Sequence, residues 1–499
     1  MTILSKYRFS AALLQCVGLA AACGNTASDL SSAQSAGTGM TSQTGGHAAA
    51  IAAGAMPSQG TSGASAQAVM PGSGAGAPGP GTSTMVAASG KGGANVPAAG
   101  TQATAAGSSG ASGASAGSVA PSRAVPSDGF AERSDADCRS SAGAMKQDAH
   151  LPDPFMMHDG TRVTSKADWR CRRSEIQQDL EKYEIGPKPE PPMVEASYSG
   201  GKLNVKVTTS AGAITLSSTV TIAASDCVAI GMNTQSSLVT GCVQVPFMHD
   251  QVVKYASDNS RSQSDPFYKV YPELWNKVGN YAAWAWGISR LVDGLVQVKD
   301  ALKIDPTKIA VHGCSYAGKM ALFAGAFDER IALTIAQESG GGGINSWRTS
   351  QDFTKRTGTN VEKIDNTSGS WFLASMKPLD PYSLPHDHHE LIAMVAPRAL
   401  VAMGNQDYDW LGDESGWKSI NAAKEVWKAL GVADHIGFDF TSNHTHCSAA
   451  ASQVASAKAF VDRFLKGQSA KTEIVVAPEK GNLDLDFKKS IDWQTPTLQ

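Results

Sequence analysis

Residues 308–327 limit the possible folds more than any other stretch. Lys308-Ile309-Ala310-Val311 is a short apolar strand, Gly313 to Gly318 is a glycine-bearing turn, and 319–327 is an apolar helix. The same alternation continues downstream, with strands predicted over 331–336, 399–403 and 436–440. Amphipathic helices are predicted over 419–430 and 454–465. Upstream, Trp284, Ile288, Leu291, Leu295, Val298 and Leu302 recur at helical spacing, and 228–232 reads as a buried strand. Strands that alternate with helices imply a mostly parallel sheet covered on both faces, a three-layer α/β/α sandwich. Ligands in such sheets sit beyond the carboxyl ends of the strands. Before this region, 172–183 reads as a helix ended by the proline-rich run 186–192, and 203–207 and 214–222 alternate as antiparallel strands.

Composition confines that fold to residues 128–499, a length suited to one large core. Residues 24–127 are almost all Gly, Ala, Ser, Thr, Pro and Gln without an aromatic side chain, which predicts a flexible stalk. Residues 1–23 read as a bacterial export signal: Lys6 and Arg8 precede a short apolar run too brief to span a bilayer. The run ends in Leu19-Ala20-Ala21-Ala22-Cys23, which resembles a lipoprotein processing site with Cys23 as the acylated residue. An ordinary cleaved signal is the alternative. The expectation is an exported monomer, a cell-surface or outer-membrane lipoprotein or else secreted, touching membrane only through a lipid anchor. A net charge of −3 without a basic stripe gives no reason to expect nucleic acid as a partner. Outside the signal, the cysteines Cys138, Cys171, Cys227, Cys242, Cys314 and Cys447 suggest three disulfides in an exported domain, and none has CxxC metal spacing.

The turn Gly313-Cys314-Ser315-Tyr316-Ala317-Gly318-Lys319 carries the chemistry. A serine between strand and helix, among small residues, is the nucleophile elbow of α/β-hydrolases. A serine hydroxyl needs a base, and His444 and His446 follow a late strand, as the order Ser, acid, His requires. A disulfide from Cys314 to Cys447 would hold Ser315 and His446 together, so His446 is the expected base and His444 a supporting residue. The acid that orients the imidazole could be Glu338, after strand 331–336, or Asp407 or Asp409, after strand 399–403.

At this point many motifs in one order resemble the glucuronoyl esterases, carbohydrate esterase family fifteen. The elbow resembles the family's G-C-S-R-N-G-K, and Gln337 to Gly343 its Q-E-S-G-x-G-G. Further matches are Asp168 to Arg173, Trp284 to Gly287, Asp387-His388-His389, Ala396-Pro397-Arg398, Asp409-Trp410-Leu411, His444 to Cys447 and Asp492-Trp493. The resemblance implies Glu338 as acid; Asp407 and Asp409 remain the alternatives from the residues alone. It also implies pairing of Cys314 with Cys447 and Cys138 with Cys171, which leaves Cys227 for Cys242. It implies a serine esterase that needs no cofactor and cleaves the ester between (4-O-methyl-)glucuronic acid of glucuronoxylan and a lignin alcohol. Lys319, Glu362 and Trp410 fall where the family contacts the sugar.

The sequence departs from that pattern in two places. Tyr316 stands where the family has an arginine that helps hold the oxyanion; backbone N–H groups at Tyr316 and in the loop after Met232 are expected to hold it, with the Tyr316 hydroxyl as a further candidate donor and packing on the cleft wall as the alternative. Glu362 stands where the family has glutamine, and Thr367-Ser368-Gly369-Ser370 precedes Trp371 where a glutamate should come. These changes leave two rival readings, an esterase for another carbohydrate ester (acetyl or feruloyl) and a catalytically weakened carbohydrate-binding homologue. The run His386-Asp387-His388-His389 is not expected to bind metal, because neighbouring residues rarely converge on one ion.

Overall fold

The computed structural model describes residues 130–256 and 260–499. The predicted export signal with Cys23, and the predicted stalk, lie outside the described residues. A seven-stranded sheet runs in the order β10-β9-β8-β7-β6-β4-β5. Its strands are β4 (Val228–Gly231), β5 (Val243–Gln244), β6 (Ile309–Cys314), β7 (Ile331–Gln337), β8 (Ala399–Met403), β9 (Ile436–Asp439) and β10 (Val475–Val476). Every neighbouring pair is parallel. The central strands are buried on both faces, which is why they read as continuous apolar runs in the sequence.

Each face has its own core. Ala310, Leu333, Ile335 and Val401 pack with Phe460 and Val461 of the helix Ala451–Phe464 on one side. Ile309, Val311, Leu400 and Phe438 face the other side, toward the helices Asn280–Gln297, Tyr316–Phe327 and Asp413–Ala429. Among the described residues, no helix is long and apolar enough to cross a membrane.

A separate antiparallel sheet holds β1 (Met193–Ser199), β2 (Lys202–Thr209) and β3 (Gly212–Thr219) in that order. β1 is absent from the sequence expectation because none of its residues is fully buried. β2 buries Leu203, Val205 and Val207 against the helix Asn280–Gln297. The approach is close: a Cβ added at Gly294 would lie 2.3 Å from Val205.

Several boundaries differ from expectation for local reasons. The first helix starts at Lys166, not 172, because Ser165 and Asp168 form a reciprocal cap. It ends at Leu180 and continues as a π turn through Ile185. The strand expected over 214–222 ends at Thr219, and the one expected to 440 ends at Asp439. The helix expected from 419 begins at Asp413, just after Gly412 in a left-handed conformation. The helices Trp347–Thr357 and His388–Ala393 carry too few apolar residues, or too few residues, to announce themselves.

The register of the main sheet positions the site. Cys314 pairs with Gln337, Gln337 with Met403, and Met403 with Asp439, so four strands end level and their loops meet above them.

Candidate active site

Ser315 follows β6 directly and adopts φ 59°, ψ −127°, a conformation that costs a non-glycine residue about 1–3 kcal/mol. The turn is held from both sides. The Ser315 N–H donates to Gln337 O at 3.0 Å, and the N–H groups of Gly318 and Lys319 donate to Ser315 O at 2.9 and 3.1 Å. Two glycines allow this close approach. A Cβ at Gly313 would lie 2.1 Å from Ala317 O, and one at Gly318 would lie 2.4 Å from Gln337 O. The chain therefore needs glycine at 318, and Ala317 fits between the two.

Glu338 follows β7 in the same way. It takes φ 44°, and its N–H donates to Met403 O at 2.8 Å. Its side chain is fully buried and accepts three hydrogen bonds. His446 Nδ1 donates to Oε2 at 2.6 Å, and the Cys447 N–H and Gln337 Nε2 donate to Oε1 at 3.2 and 3.3 Å. Gln337 is fixed in turn, since Nε2 also donates to Ser448 O at 2.7 Å and Oε1 faces His312 Nε2 at 3.3 Å.

The loop after β9 delivers His446. Its N–H donates to the Tyr408 hydroxyl at 2.8 Å, and the rings of Tyr408 and Trp410 lie edge-on to the imidazole at 5.4 and 4.9 Å. His446 Nε2 is buried without a hydrogen-bond partner among the described residues. The Cys314–Cys447 disulfide, with Cα atoms 5.6 Å apart, ties the residue before the serine to the residue after the histidine. Cys138–Cys171 and Cys227–Cys242 are also bonded.

The other two candidate acids have different partners. Asp407 accepts from the N–H groups of Asn443 and His444 at 2.6 and 3.2 Å and pairs with Lys480, whose ammonium holds its carboxyl below the usual range. It braces the histidine loop from below. Asp409 opens the short turn Asp409–Leu411, where its carbonyl accepts from the Gly412 N–H. His444 lies 3.8 Å from Glu338 Oε1, and Asn405 Nδ2 donates to its carbonyl at 3.0 Å.

Aromatic rings surround the residue after Ser315. The Tyr316 ring packs 4.4 Å from that of Tyr255, and its hydroxyl lies 3.1 Å from His249 Nε2. Burial pushes the Tyr316 phenol up to about 12 and lowers the affinity of His249 for a second proton. Asp250 Oδ1 lies 2.8 Å from His249 Nδ1 without forming a hydrogen bond, and the contact of Nε2 with the phenol can run in either direction. Lys319, one helical turn after the serine, pairs with Glu362 at 2.8 Å and lies 5.4 Å from the Trp371 ring. Glu362 also accepts from Thr367 Oγ1 at 2.6 Å. Its backbone presses on the acid loop, where a Cβ at Gly341 would lie 2.3 Å from Glu362 O. Trp410 is 40% exposed and offers a ring beside His446.

The histidine run is spread through the interior. His386 and His388 bind the two oxygens of buried Glu184 at 3.0 and 2.7 Å, His389 faces Pro152 O at 2.8 Å, and Asp387 caps its own helix. Glu184, Gln337, Tyr408 and His249 escaped the sequence reading as positioning groups. Each has a partner remote in the chain that no local pattern reveals: His386 and His388 for Glu184, Ser448 for Gln337, His446 for Tyr408 and Tyr316 for His249.

The family described as "Glucuronyl esterase, fungi" matches residues 202–431. A 4-O-methyl-glucuronoyl methylesterase of Hypocrea jecorina is 36% identical over 375 residues, covering 73% of this chain and 80% of that protein. One from Schizophyllum commune is 37% identical over 364 residues, covering 70% and 91%. The solved structure of the Hypocrea jecorina glucuronoyl esterase catalytic domain superposes with a TM-score of 0.66 at 36% identity, covering 71% of this chain and 98% of that one. A serine-to-alanine mutant of the Sporotrichum thermophile glucuronoyl esterase, in complex with methyl 4-O-methyl-β-D-glucopyranuronate, matches with a TM-score of 0.66 at 32% identity, covering 72% and 100%. With more than a third of the aligned residues identical over 80% and 91% of the length of these two relatives, and the same fold, this chain belongs to the glucuronoyl esterase family.

Proposed function

We propose that this chain is a serine esterase that hydrolyses the ester between (4-O-methyl-)glucuronic acid of glucuronoxylan and a lignin alcohol. His446 Nε2 takes the proton of Ser315 Oγ as the oxygen attacks the ester carbonyl. Glu338 holds His446 with Nδ1 protonated and stabilises the imidazolium that forms. The carbonyl oxygen, now negative, is received by the backbone N–H of Tyr316 at the helix start and by the loop after Met232. His446 then protonates the departing alcohol, leaving an acyl-serine. Water, deprotonated by His446, attacks the acyl carbon and releases the uronic acid and free Ser315. Lys319, Glu362 and Trp410 form the polar and aromatic walls that receive the sugar.

The observation that carries this reading is the 2.6 Å contact between His446 Nδ1 and Glu338, with Nε2 unengaged and the histidine bonded through Cys447 to the strand end that bears Ser315. The bound methyl 4-O-methyl-glucopyranuronate of the Sporotrichum thermophile relative supports a uronate ester as substrate. Three disulfides fit an exported protein. We propose that residues 128–499 form the monomeric catalytic domain, carried by the stalk 24–127 and an export segment acylated at Cys23.

The test is hydrolysis of benzyl glucuronate by the purified protein, beside Ser315→Ala and an acetyl ester. Glucuronate release that Ser315→Ala abolishes is expected. Turnover of the acetyl ester alone would move the substrate to another carbohydrate ester. Sugar binding without turnover of either would make the chain a binding homologue.

A further inference from the structure

Asp413 is a buried carboxyl for which the triad has no use. It opens the helix Asp413–Ala429 beneath the loop that follows β8. Its Oδ2 is buried without a hydrogen-bond partner among the described residues, and the donor its carboxyl has is the backbone N–H of Asn405. Oδ1 sits against the chain at Gly404, where an added Cβ would lie 2.9 Å away. Glu338 stands at the neighbouring strand end, where its N–H donates at 2.8 Å to Met403 O, one residue before Gly404.

The two carboxyls share the available donors unequally. Glu338 accepts from His446, Cys447 and Gln337, whereas among the described residues the donor to Asp413 is the backbone N–H of Asn405, and Oδ2 has none. The cations nearby in sequence and space are taken: Arg356 and Lys418 bind Glu414, and Lys480 binds Asp407. On the β9 loop, His446 and His444 both face Glu338. A buried carboxylate with an orphan oxygen is costly, and two carboxylates in one low-dielectric site do not both ionise readily. Glu338 therefore takes the charge and Asp413 keeps its proton. Burial, reinforced by the charge of Glu338, pushes the Asp413 carboxyl up to about 8.

Asp413 reaches the triad by a second route. Asn405, whose N–H it accepts, donates through Nδ2 to His444 O at 3.0 Å, and His444 lies 3.8 Å from Glu338 Oε1. We propose that Asp413 is a positioning residue: a neutral carboxylic acid that leaves Glu338 as the single negative charge under His446, and whose ionisation disturbs the Glu338–His446 hydrogen bond. This rests on the triad proposed above.

The test follows the proton of that hydrogen bond in the full-length protein. A proton on His446 Nδ1, 2.6 Å from a carboxylate, resonates far downfield in the ¹H NMR spectrum, and loss of the signal in His446→Gln assigns it. In the wild type this resonance is expected to shift in a step near pH 8, and kcat/KM for benzyl glucuronate to bend at the same pH. Both steps should vanish in Asp413→Asn, and in Asp413→Ala should the first variant fail to fold. A downfield signal with no step near pH 8 in the wild type, or a step that persists in either variant, would overturn the role of Asp413 and leave the triad intact. A protein without any His446-dependent downfield signal would instead overturn the triad reading, and the role of Asp413 with it.

Discussion

Glu338→Gln separates the proposed acid from its neighbours. The carboxylate accepts on both oxygens, from His446 at Oε2 and from Cys447 N–H and Gln337 Nε2 at Oε1. Glutamine can satisfy one side only. If its amide NH2 faces His446, the imidazole must accept there, so its proton moves to Nε2 and it cannot deprotonate Ser315. If its oxygen faces His446, the NH2 meets two other donors in a fully buried space, at about 1–3 kcal/mol for each group left unsatisfied. The wrong tautomer in such a triad lowers kcat roughly 10⁴-fold, so kcat on benzyl glucuronate is expected to fall about 10³- to 10⁴-fold, with the fold intact by circular dichroism. Asp407→Asn and Asp409→Asn, made in parallel, should each stay within about tenfold of wild type, since neither side chain binds His446. The reasoning fails if Glu338→Gln keeps a tenth of the activity, or if an aspartate variant shows the larger loss.

Three other variants probe the surroundings. Cys314→Ala with Cys447→Ala opens a crosslink spanning 133 positions and should cost up to about 5 kcal/mol in denaturant melts, with kcat reduced under folding conditions. Tyr316→Phe should lose less than about tenfold in kcat, because its hydroxyl is engaged with His249; a loss of about 10²-fold or more would make the phenol an oxyanion donor. Asp413→Asn should gain stability relative to wild type as pH rises. The wild-type carboxyl holds its proton in the folded state up to about 8 but loses it near 3.8 when unfolded, so its contribution is full below 3.8 and lost by 8. At 1.36 kcal/mol per pKa unit the upper bound is about 6 kcal/mol, reduced by any water that enters. Urea melts at pH 5 and pH 8 check the sign, and a gap between the two proteins that ignores pH would refute it.

The legible parts of this chain were those whose physics is local. Strands β6 to β9 are buried on both faces, so unbroken apolar runs identified them, and the turn around Ser315 could be read because close packing requires Gly313 and Gly318. β1 was missed because an exposed edge strand with Glu195 and Ser197 has no strong apolar alternation. Trp347–Thr357 was missed because its polar surface hides the one buried stripe that contains Trp347 and Phe353. The choice of Glu338 over Asp407 and Asp409 did not follow from periodicity or spacing. It depends on which carboxyl reaches an imidazole 108 positions away, a matter of strand order. Asp413 gave no sign at all, because a carboxyl before a polar helix turn looks like an ordinary exposed first-turn acid, and only the packing beneath Gly404 removes it from water.

Turnover creates a new charge, because a neutral ester enters the cleft and an anion must leave it. A lone ammonium at Lys319 would attract that anion and slow its escape. Glu362 already neutralises Lys319 across 2.8 Å and is itself steadied by Thr367, so the cleft greets ester and acid with no net charge from this pair. The sugar-binding role proposed for Lys319 and Glu362 implies that reaction converts a ligand the walls accept into one they do not retain. Glu362→Gln would remove that balance. Free glucuronate should then inhibit at a concentration at least about fivefold lower, the direction expected for an unpaired cation in a poorly solvated site, and an unchanged inhibition constant would show that Lys319 never meets the carboxylate.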